Sequence, residues 1–117
     1  MKIDFEMSLF DGGFYGIKSG KQTVEGRVFD LKRQSVEVDN IIRFYHLPER
    51  KEFFDVLVVE VLKYDSFREM FEALGGGVFG CDDDCLVEDF VGAYRKYYSE
   101  EKEKEFGVLG IRIEVGR

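Results

Sequence analysis

The chain has 117 residues, 44% hydrophobic and 35% charged, with twelve Phe, six Tyr, no Trp and one Pro. That length fits a single domain over residues 1–117, and that apolar content supports a real core and excludes a disordered coat. The net charge of −7 excludes a general nucleic-acid coat, and no apolar run approaches the roughly 18 residues of a membrane helix.

The charge is unevenly spread. Residues 1–51 carry nine Lys/Arg and eight Asp/Glu, whereas residues 52–117 carry eight and sixteen. The first half is the one able to face a phosphate, and the second reads as a repulsive, solubilising surface. Asp4 and Glu6 interrupt the only stretch near the start that would resemble a secretory segment, so the expected location is the cytoplasm. Cys81 and Cys85 are then expected as reduced thiols. With His46 as the only histidine, and far away in sequence, a complete zinc shell would need carboxylates, and neither a metal nor another cofactor is expected.

In chain order, Ile3, Phe5 and Met7 alternate with Asp4 and Glu6 as a half-buried strand. Leu9, Phe10, Phe14 and Ile17 recur at helical spacing, with Ser8 as the expected N-cap and Gly20 as terminator. Residues 20–29 follow as a turn and a strand. Val24, Gly26 and Val28 fall on one face, and Thr23, Glu25 and Arg27 on the other. Residues 30–40 read as a turn with a short strand, ending in the turn signal Asp39-Asn40. Ile41 to Tyr45 form the next strand, which Pro48 ends. Phe53 to Tyr64 is the most β-rich run and reads as the central strand.

Ser66-Phe67-Arg68-Glu69 has the form of a capping box, followed by the apolar stripe Phe67, Met70, Phe71 and Leu74. Gly75-Gly76-Gly77 stops that helix. Asp82 to Asp84 then supply negative charge at an expected helix start, with Leu86, Phe90, Ala93, Tyr94 and Tyr97 at helical spacing. A short helix after Ser99 is expected to carry Glu100, Glu101, Glu103 and Glu105 as a solvated face paired with Lys102 and Lys104. Val108 to Val115 closes the chain as a strand. Five or six strands with helices at one side define an α+β class, a small, partly closed mixed β-barrel with two to four flanking helices.

Three ordered segments resemble the ASCH domain, a module of the PUA-like superfamily named after a transcription coactivator. The first is its Gly-x-Lys-x-x-Glu-x-Arg motif, here Gly20-Lys21-Gln22-Thr23-Val24-Glu25-Gly26-Arg27. The second is a helix start, Tyr64-Asp65-Ser66-Phe67-Arg68-Glu69-Met70. The third is Tyr94-Arg95-Lys96-Tyr97-Tyr98, followed by Phe106-Gly107-Val108. The resemblance implies a barrel with a cleft lined by the first motif, and RNA or a modified nucleoside as ligand. It also brings in small bacterial members that hydrolyse acetylcytidine with a lysine, a threonine and a carboxylate. Here Gln22 replaces the motif's lysine, and Glu25 stands where those hydrolases carry the threonine. Asp82, Asp83 and Asp84 match the further carboxylate by region only.

The residues themselves favour recognition over catalysis. A glutamine is neither a base nor a cation. Glu25 is the candidate general base of an amidohydrolase, but pairing with Arg27 works against that role. As binding groups, Arg27 offers a planar donor fork, Glu25 accepts from an exocyclic amine, and Gln22 and Thr23 offer neutral donors and acceptors. Lys21, with Lys18, Lys32 and Arg33, surrounds the motif and is placed to contact a phosphate backbone. Tyr94 and Tyr97 are the candidate stacking platform, with Tyr98 beside them, although helical spacing also suits such residues to a core. A protein-interaction domain using the acidic half is the remaining alternative.

Overall fold

The computed structural model describes residues 2–82 and 84–115. Five strands and four α-helices follow one another: β1 (Phe5–Leu9), α1 (Asp11–Lys18), β2 (Val24–Val28), β3 (Ile41–His46), β4 (Phe53–Tyr64), α2 (Phe67–Leu74), α3 (Val87–Arg95), α4 (Glu100–Phe106) and β5 (Val108–Val115). One turn of 3-10 helix, Gly77–Phe79, lies between α2 and α3. The sheet order is β1-β3-β4-β5-β2, with β1 parallel to β3 and every other pair antiparallel. The long apolar run does supply the middle strand, and a bulge between Val58 and Glu60 lets β4 bend. The sheet curls into a half-barrel flanked by the four helices.

Two apolar clusters hold it. Inside the curl, Phe14 and Ile17 of α1 pack on Leu9, Ile42, Phe44, Val56, Val58, Ile111 and Ile113. Behind β2 and β5, Phe67 and Met70 of α2 and Phe90 of α3 pack on Val24, Val28 and Val108. Burying a Phe fully contributes about 1.5–3 kcal/mol, so these rings dominate the core. The strand β5 serves both clusters, which is why Val108, Leu109, Gly110 and Ile111 are all buried.

Four local expectations are corrected. Ser8 is in β1, and Phe10, with no side-chain cap bond, precedes α1. Residues 31–39 form turns without a strand, fastened by Asp39 N–H donating to the Val58 carbonyl at 2.8 Å. The helix α3 begins only at Val87, so Glu88 and Asp89 are the acids of its first turn; Asp82 lies upstream. The fourth is Glu103, which is buried rather than solvated. It accepts from the Phe67 amide at 2.7 Å and from Arg95 Nη2 at 2.8 Å. The capping serine is as expected: Ser66 Oγ accepts from Glu69 N at 3.1 Å, although Glu69 reaches back to the amide of Asp65.

Candidate functional site

The two edges of the open sheet, β1 and β2, face each other across a cleft of about 610 Å³. Alternation along β2 decides its floor. Val24 and Val28 turn to the α2–α3 side, and the chain on that side leaves no room for a side chain at Gly26. A Cβ there would meet Tyr94 Oη at 2.6 Å and Met70 Cε at 2.9 Å. Glu25 and Arg27 turn the other way and line the cleft.

Arg27 ties the two edges together. Its Nε donates to Glu25 Oε2 at 3.0 Å, with Nη2 2.9 Å from the same oxygen, and Nη2 also donates to the Ser8 carbonyl of β1 at 3.2 Å. Gln22 Nε2 donates to the Val24 carbonyl at 2.9 Å and to Glu25 Oε1 at 3.3 Å. The carboxylate is therefore held from both sides. Burial opposes the charge on Arg27, but Glu25, then Tyr98 and Tyr94, more than offset it, and the guanidinium pKa lies above its ordinary value. Burial, reinforced by Glu25, pushes the Tyr94 phenol well above its ordinary value, so it stays a neutral hydroxyl at pH 7.

Tyr94, Tyr97 and Tyr98 of the α3 end reach the cleft. Tyr94 and Tyr98 are half-buried and stack on Phe67 at 4.2 and 5.9 Å between centroids. Tyr97 is 62% exposed and stacks with Phe10, itself 53% exposed, at 6.2 Å and 21°. This exposed pair bridges the junction of β1 and α1 to the end of α3. Cys81, Cys85 and Asp89 also line the cleft. Both thiols are free, and burial together with the Cys85 thiol pushes Cys81 up to about 12. The two lie in a loop. Among the described residues, no group of three or more His, Cys, Asp or Glu is arranged to hold a metal ion.

Of the residues singled out from sequence, Gln22, Glu25, Arg27, Tyr94 and Tyr97 converge on this cleft, whereas Lys21 and Thr23 do not. The strand period starts only at Val24, so it does not extend to Lys21 or Thr23. Thr23 is pinned by its backbone, donating to the Val78 carbonyl at 2.8 Å and accepting from Ile113 N at 3.0 Å. Lys21 is exposed, 4.0 Å from Asp82 Oδ1. Two other expected backbone-contacting cations are neutralised: Lys18 by Glu52 at 2.8 Å and Arg33 by Asp30 at 2.7 Å. Asp82 and Asp84 are exposed and off the cleft, and Asp83 lies outside the described residues. Phe10 and Asp89 went unrecognised in the sequence, because each becomes part of the site only through the packing of α1 and α3.

A curled five-stranded half-barrel with a cleft between its edge strands matches the PUA-like fold. The chain belongs to the ASCH domain family, whose model matches residues 7–117. It is 36% identical to hypothetical protein PH0355 over 96% of this chain and 98% of that one, with a TM-score of 0.84. Protein PF0455 from Pyrococcus furiosus is also 36% identical, over 95% and 96% of the two chains, with a TM-score of 0.73. ASCH from Zymomonas mobilis shares the fold at 16% identity, with 93% and 65% covered and a TM-score of 0.63. No functionally curated protein matches the chain.

Proposed function

We propose that the cleft binds one unpaired nucleotide of an RNA, with the base placed over Glu25 and Arg27 and beside the Phe10–Tyr97 pair. The observation that carries this reading is the juxtaposition of a fixed carboxylate–guanidinium pair with exposed, stacked aromatic rings in one cleft. A base has both a hydrogen-bonding edge and a π-face, and the cleft offers partners for each. About 610 Å³ lies in the usual range of small-ligand sites. Glu25 and Arg27 neutralise each other, which suits an uncharged base edge. Membership of a family proposed to bind RNA agrees with this reading.

Hydrolysis of an acylated nucleoside is less well supported. A general base needs a free oxygen aimed at a water. Here Glu25 Oε2 is engaged by Arg27 and Oε1 by Gln22, and Gln22 brings no charge to a developing oxyanion. The two readings separate in one experiment. A short unpaired RNA is titrated by fluorescence anisotropy against wild type and Glu25→Gln, and released acetate is measured with acetylcytidine. The expected result is saturable RNA binding, weakened about tenfold by Glu25→Gln, without acetate above the protein-free control. Acetate release, or RNA binding indifferent to Glu25→Gln, contradicts the proposal.

A further inference from the structure

Ion pairing singles out one arginine. Arg27, Arg33, Arg43, Arg68, Arg95 and Arg112 each have a carboxylate within 4 Å. Among the described residues, Arg50 is the one arginine without such a partner, in a chain with 24 acidic side chains. It is nevertheless held in place. Its Nη1 donates to Ser8 Oγ, and its guanidinium sits 4.5 Å from the centre of the Tyr45 ring. Its backbone is left-handed at φ 60°, which a non-glycine residue adopts seldom, and its amide donates to the His46 carbonyl at 2.8 Å.

Three acids of this corner are engaged elsewhere, and Glu49, the residue before Arg50, is exposed and pairs with no described cation. Glu6 accepts from the Tyr45 hydroxyl at 3.3 Å, Asp11 faces His46 Nε2 at 2.5 Å, and Glu52 pairs with Lys18. Ser8 then links Arg50 to the cleft. Its hydroxyl takes Arg50, its carbonyl takes Arg27, and the residue itself lines the opening. Two guanidiniums thus approach one residue at the cleft edge, and of the two only Arg27 has a carboxylate, Glu25, within 4 Å among the described residues. A prepositioned planar donor without a carboxylate suits an anion carried by the ligand, and phosphate fits its fork.

We propose that Arg50, with the Ser8 hydroxyl, forms a phosphate subsite at the edge of the cleft, so that the ligand is a phosphorylated nucleoside and not a bare one. The subsite rests on the reading of the cleft as a nucleotide site and adds the group that the neutral floor cannot recognise. Free mononucleotides and an RNA chain share that phosphate chemistry.

The test is calorimetric titration of wild type, Arg50→Gln and Arg50→Lys with the four nucleosides, their 5′- and 3′-monophosphates and a short unpaired RNA, at two salt concentrations. Thermal unfolding checks that each variant is folded. Wild type is expected to bind a phosphorylated probe about tenfold more tightly than its nucleoside. The advantage should narrow as salt rises, shrink to about twofold or less in Arg50→Gln, and be partly kept in Arg50→Lys, while nucleoside binding is unchanged. An Arg50 effect confined to the RNA would assign the subsite to an internal phosphate. Equal wild-type binding of nucleosides and phosphorylated probes would overturn the subsite and leave the nucleotide reading standing. An equal loss for both in Arg50→Gln would overturn it too. No binding by any probe would overturn both.

Discussion

Glu25 and Arg27 were legible because period-two alternation is a local property, and a strand carries it into the fold unchanged. Lys21 and Thr23 sit just before the strand, where backbone bonds to Val78 and α1 decide direction instead. Arg50 gave no signal at all. Its standing depends on which acids of this corner already have partners, and that is settled by tertiary contacts. The cysteines make a prediction at this scale. Cys81 is raised from the ordinary thiol value to about 12, first by burial and then by Cys85. A raised folded value favours the protonated thiol. That contribution to stability is intact below the ordinary thiol pKa and is lost as pH climbs through the folded one. At pH 8 Cys81 should therefore be alkylated by iodoacetamide at least about tenfold more slowly in the folded chain than in denaturant. Fragment mass spectrometry separates it from Cys85, and equal rates would contradict the assignment.

The elements with strong periodicity came through: the central strand β4, the capped helix α2 and the closing strand β5 all match the sequence pattern. The failures share a cause. Residues 31–39 form turns and pair with no strand, and Asp82 and Asp84 precede α3 without entering it. The helix α4 is the sharper case. Its run of Glu and Lys reads as a solvated face, yet Glu103 turns inward to take the first amide of α2 and the guanidinium of Arg95. Composition cannot show that one glutamate of four serves as the cap of another helix. Since Glu103 is 7% exposed, removing it leaves a half-buried arginine and a helix amide without their acceptor. Glu103→Ala should lower the unfolding free energy by about 3 kcal/mol, and Glu103→Gln by less, because the amide oxygen still accepts from Phe67. Urea unfolding measures both, and a change within about 0.5 kcal/mol for the alanine variant would argue against this cap.

At the scale of the whole molecule, the cleft follows from an incomplete barrel. The β4 bulge and the antiparallel β4-β5-β2 run curl the sheet, and the edges β1 and β2 meet through Arg27 and the Ser8 carbonyl without pairing as strands. A mixed barrel was readable from element order. The position of the opening was not, because it depends on strand order, and β2 pairs with β5, its partners 80 to 88 positions apart in the chain. Among the described residues no helix is long and apolar enough to cross a membrane. What the opening admits is the central claim, and amide spectra of the labelled protein test it most directly, with a nucleoside 5′-monophosphate and then a short unpaired RNA added at low salt. Shifts concentrated at residues 8–10, 22–27 and 94–98, saturating with ligand, are the predicted result. Shifts spread over the α4 face or the outer face of β3 and β4, with those segments unmoved, would contradict it.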